Sequence, residues 1–117
     1  MKAEQILNST LKLLGHSEIE NDISVKAISL AALNTVYADL FYLNHKNGFK
    51  PLACLNDEIL LSEKLLFDVM TYGVAAYIAA AKEDLAKQQL FASLYNIKRA
   101  GAKEEISVVD KLPKPIS

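Results

Sequence analysis

The stretch from Leu65 to Ala81 constrains the fold more than any other part of the chain. Its residues are apolar around most of a helical circumference, with one narrow polar stripe at Lys64, Asp68, Thr71 and Lys82. Such a helix is stable in water only when neighbours cover it on several sides. The spacing therefore predicts a central helix with the other segments packed round it. Its start lies between Asn56 and Ser62 and its end near Glu83. Asn56 followed by Asp57 and Glu58 supplies one capping start, and Ser62 followed by Glu63 another, because acids in the first turn suit the helix dipole. With Ser62 as the cap, Asp57 to Leu61 is extended; strand and helix both stay open for Leu52 to Leu61. Gly73, Ala76 and Ala80 form a small-residue strip, and Tyr72 and Tyr77 can reach the core edge with their hydroxyls in water. Lys64 and Asp68 make an i, i+4 pair worth ~0.3–0.5 kcal/mol.

Three more helical segments are available to cover that helix. The first runs from about Ala3 to Leu14, with Ile6, Leu7, Leu11 and Leu14 on one stripe, and stops at Gly15. After a polar gap, Asn21, Asp22 or Ser24 can cap a second helix from about Val25 to Asn44. Its main stripe is Val25, Ile28, Ala32, Val36, Leu40 and Leu43, with Leu33, Tyr37 and Phe41 beside it. On the other side Ala27, Ala31, Asn34 and Ala38 recur at helical spacing. Such a strip admits a close backbone, either from within the chain or from a neighbouring copy. Asn47-Gly48 and Lys50-Pro51 then break the pattern, with a brief strand or hairpin as one form of the link.

The last helix is expected from Asp84 or Leu85 to Ala100, with Leu90, Leu94 and Ile97 inward, flanked by Phe91 and Tyr95, and with Gly101 as its stop. Lys98 and Arg99 then sit in the final turn, and with Lys103, and Lys111 and Lys114 in the tail, form the one cationic concentration. Residues 102–117 read as an extended tail, because Pro113 and Pro115 lack amide hydrogens and restrict the residues before them. The expected architecture is all-α: a compact bundle of about four helices over residues 1–101, a short extended link before the third helix, and an extended tail over 102–117. The tail is either solvated or a docking segment. In the second case Ile106, Val108 and Val109 add a strand to a partner's sheet, and Leu112, Pro113, Pro115 and Ile116 lie in a groove as polyproline II.

Composition removes whole classes of function. The 117 residues are 51% hydrophobic with a formal charge of -1, which excludes disorder as the main state and argues against nucleic acid as a bulk partner. One cysteine, Cys54, precludes an internal disulfide and fits a reducing compartment; flanked by Leu52, Ala53 and Leu55, it reads as a small buried hydrophobe. No run of ~18 apolar residues able to span a bilayer is expected, the nearest being Val69 to Ala81.

Catalytic chemistry finds little support. His16 and His45 stand in polar links with no ligand at metal spacing, and the four glycines form no phosphate loop. Glu18, Glu20 and Asp22 lack the glycine and terminal glutamate of a calcium loop. Asp39 projects near Ile28 and Ala32, at the edge of the apolar stripe, and needs a lysine or a helix N-terminus as partner. Neither a catalytic set, nor a metal site, nor a cofactor is expected.

The order of these features resembles the small helical head-tail connector and adaptor proteins, of the tail accessory type, of tailed bacteriophages. The resemblance rests on Leu13-Leu14-Gly15 closing a short first helix, and Ala32-Leu33-Asn34 with Asp39-Leu40 in the second. It continues in Asp57-Glu58-Ile59 in the link, Tyr72-Gly73-Val74-Ala75 in the third helix, and Phe91 with Tyr95 in the last, and it spans most of residues 3–100. It implies a non-enzymatic structural protein of a phage or prophage, assembled in the bacterial cytoplasm and placed at the head-tail junction of the virion. It further implies a homo-oligomeric ring that contacts the portal or a neighbouring connector through the tail, with Tyr72, Gly73 and Ala76 as packing positions. The short tail and low basic content argue against direct DNA contact, and no membrane partner is implied. The competing class is a small helical DNA-binding or regulatory protein, which needs an exposed basic recognition helix.

Overall fold

Ser62 decides where the central helix begins. Its side chain accepts a hydrogen bond from the Leu65 amide at 3.3 Å, and Glu63 follows in the first turn. The computed structural model describes residues 1–15, 23–44 and 48–111. These form four helices: α1 (Ala3–Leu13), α2 (Ile23–Asn44), α3 (Glu63–Ala81) and α4 (Leu85–Lys111). The protein is all-α with an extended link before α3, as the sequence leads one to expect.

The central position of α3 follows from its composition. Leu65, Leu66, Val69, Met70, Val74, Ala75, Ile78 and Ala79 are all buried, in contact with α1, α2 and α4. At 19 residues and mean hydropathy 1.3 it is long and apolar enough to cross a bilayer by length and composition, which corrects the expectation that no segment reaches that length. In the fold 61% of that stretch is covered by protein, so it serves as the core helix. Residues Leu66–Met70 form one wide π turn within it. Thr71, expected on the polar stripe, is buried and donates its hydroxyl to the Phe67 carbonyl at 2.8 Å, satisfying an oxygen beside that turn.

In α1, Ile6, Leu7 and Leu11 face the core, and Gly15 ends the helix at φ +88°, a region that glycine enters without steric cost. The Lys2 amide donates to Gln5 Oε1 at the opposite end. In α2 the buried face is Ser29, Ala32, Leu33, Val36, Tyr37, Leu40 and Phe41. Ile28, assigned to the stripe by its spacing, is 41% exposed because the face is rotated toward Leu33 and Tyr37. The helix starts at Ile23, so Ser24 lies inside it and is not its cap.

The link is extended and pinned at several points. Asn34 Nδ2 donates to the Leu52 carbonyl at 3.0 Å while its Oδ1 accepts from the Leu52 amide at 2.6 Å. Tyr37 Oη accepts from the Leu60 amide at 3.0 Å. Lys2 and Glu58 form a single antiparallel bridge, with the Ala3 amide donating to the Asp57 carbonyl and the Ile59 amide to the Met1 carbonyl. Asp57 closes the turn by accepting from the Ala53 and Cys54 amides, bonds that hold its carboxyl below the usual value. Cys54 is therefore on an exposed turn, not buried as its neighbours imply.

A three-residue turn joins α3 to α4. Asp84 caps α4 by accepting from the Lys87 amide at 3.1 Å, and Lys87 Nζ reaches the Leu14 carbonyl at the end of α1 at 3.1 Å. So short a connection makes the two helices antiparallel neighbours, and Gly73 opposes Tyr95 across the pair.

The last helix departs from expectation in two ways. Gly101 does not stop it; the backbone continues helical to Lys111, so residues 102–111 are not extended. No proline intervenes before Pro113, and a proline constrains only its immediate N-terminal neighbourhood. The buried side is also different. Phe91 and Ala102 are buried and Tyr95 half-buried, whereas Leu90 and Ile97 are 55% and 69% exposed.

Candidate functional site

Asp39 has a partner, and it comes from α4. Tyr95 and Arg99 are four residues apart, so both project from the same side of that helix toward one carboxylate. Tyr95 Oη donates to Asp39 Oδ2. Arg99 makes a two-pronged contact, Nε to Oδ2 at 2.6 Å and Nη2 to Oδ1 at 2.9 Å, the geometry in which guanidinium and carboxylate bind best. Partial burial pushes the Asp39 carboxyl up. The hydrogen bonds from Arg99 and Tyr95 and the guanidinium charge outweigh that, and the net position is below the usual carboxylate range. Burial and the adjacent carboxylate push the Tyr95 phenol far above its ordinary value, and the same carboxylate raises Arg99.

The charge state decides what the trio can do. Asp39 stays ionised and Tyr95 stays protonated across the neutral range, so neither exchanges a proton with a substrate there. The cluster is a cross-brace that ties the middle of α2 to α4. Sequence reasoning finds Asp39 and its need for a partner but looks to a lysine or a helix end. The i, i+4 spacing of Tyr95 and Arg99 is the signal that identifies the real one.

Gly73 lets the brace form. A Cβ there would stand 2.8 Å from both Tyr95 Cδ1 and Cε1 and 3.0 Å from Val36 Cγ1. Beside this contact a shallow groove of about 320 Å³ runs between α3 and α4. Ala76 and Ala80 line it from α3, and Gln88 and Ala92 from α4, with Tyr77 and Asn96 at its rim. No lining residue carries a charge.

The expected contact residues divide three ways. Gly73 lies against the Tyr95 ring of α4, and Gly73, Ala76 and Ala80 line the groove. Of the α2 strip, Ala27 and Ala31 are exposed and Ala38 half-buried, but Asn34 is occupied by Leu52. The cationic group is dispersed: Lys98 Nζ lies 4.8 Å from the Tyr72 ring centroid and Arg99 is committed to Asp39. Lys103 has only its backbone described, within α4. Ile106, Val108 and Val109 fall in the helical backbone of α4, while Leu112, Pro113, Pro115 and Ile116 lie outside the described residues, as do His16, Glu18, Glu20, Asp22 and His45. Among the described residues no three His, Cys, Asp or Glu side chains come together to hold a metal.

Comparison with known protein families, with curated proteins and with solved structures finds no match to this chain.

Proposed function

We propose that the chain is a non-enzymatic assembly subunit, a head-tail connector or adaptor of a phage or prophage. The observation that carries this reading is the outer face of α4. Leu90 and Ile97 are more than half exposed on a helix of 27 residues, about 40 Å long, which outruns the 19-residue α3 beside it. Large aliphatic side chains grouped along one exposed helix face, with Leu85 also exposed at the start of the same helix, favour the reading of a contact surface. Asp39, Tyr95 and Arg99 are committed to the α2–α4 brace, and Asn34 and Tyr37 to the link.

The resemblance to connector proteins supplies the particular role: a ring at the head-tail junction, contacting the portal or an adjoining ring through the C-terminal region. The competing regulator requires an exposed basic helix; in α4 Arg99 is paired with Asp39 and Lys98 rests over Tyr72, which counts against it among the described side chains. The test is co-sedimentation with portal rings from the encoding phage or prophage, with a parallel titration of duplex DNA at low salt. Co-sedimentation with portal and no DNA binding is the expected result. No portal binding, together with DNA binding that weakens steeply as salt rises, would replace this reading with the regulatory one.

A further inference from the structure

We draw no further inference here: the strongest candidate, the uncharged groove between α3 and α4 lined by Ala76, Ala80 and Ala92, is an unpartnered surface, and nothing in the structure shows what covers it.

Discussion

Replacing Gly73 by alanine sets two effects of opposite sign against each other, and the structure says which wins. In a helix interior alanine is favoured over glycine by ~1 kcal/mol, so on propensity alone the change stabilises α3. Against it stands the Tyr95 ring, two of whose carbons would lie 2.8 Å from the new methyl. The ring cannot simply turn away, because its hydroxyl is held by Asp39 at the far end. Overpacking of this kind costs ~1–3 kcal/mol, and release of a hydrogen bond to an ionised acceptor adds ~1.5 kcal/mol, at the low end because Asp39 is partly exposed. The expected net destabilisation is about 2 kcal/mol, read from urea unfolding, with a fall in Tm of roughly 8 °C. In a Tyr95→Ala background the clash is gone, leaving only Val36 Cγ1 at 3.0 Å beside vacated space into which it can shift. There Gly73→Ala is expected to be neutral or to stabilise by up to ~1 kcal/mol. Equal destabilisation in both backgrounds, or a stabilising effect in the wild type, would refute the claim that Gly73 exists to seat Tyr95.

Three further outcomes follow from individual contacts. Asp39→Asn is expected to cost ~1–2 kcal/mol at neutral pH; since the folded carboxyl lies below its ordinary 3.8, this contribution is present above that value and lost as pH falls through the folded one, so the gap between wild-type and variant stabilities should begin to narrow only as pH falls below 3.8 and close below the folded value. The Tyr95 phenol is raised on folding, so its contribution is present below its ordinary 10.0 and lost as pH rises further; chemical unfolding should find the wild type losing stability above pH ~10 more steeply than Tyr95→Phe. Glu83 holds φ at 58°, a region costly for a residue with a Cβ, and Glu83→Gly is expected to gain ~0.5 kcal/mol after the added freedom of the unfolded chain, measured as a Tm rise of about 2 °C.

What the sequence reveals and what it hides divide along physical lines. The four helices, the central place of α3 and the end of α1 are local properties of apolar spacing and capping, and Gly15 and the uniform apolarity from Leu65 to Ala81 announce them. Two capping sets, at Asn56 and at Ser62, compete for the start of α3, and only the link pinned to α2 and to the N-terminus decides for Ser62. Rotation of a helix about its axis is not local. Leu90, Leu94 and Ile97 make as good a stripe as Phe91, Tyr95 and Ala102, and only the partner of α3 decides between them. That partner is chosen because Tyr95 seats on Gly73 and because Arg99 pairs with Asp39, two contacts made between residues more than twenty positions apart. The end of α4 is misjudged for a related reason: a lone glycine lowers helix propensity by ~1 kcal/mol without forbidding the helix.

The same contacts explain why the candidate interaction surface lies where it does. Pairing Asp39 with Arg99 turns one side of α4 toward α2 and thereby commits the side bearing Leu90 and Ile97 to solvent. An arrangement with those two aliphatics inward would cover them, each side chain being worth ~1.5–3 kcal/mol if fully buried. It would also turn Phe91 and the Tyr95 ring outward and leave Asp39 without its guanidinium, so the apolar burial of one stripe is exchanged for that of the other. With the two stripes nearly matched, the seating of Tyr95 on Gly73 and the partly exposed ion pair, itself worth ~1 kcal/mol or less at a surface, decide the rotation. The brace at Asp39 is what keeps the Leu90–Ile97 side of α4 outward.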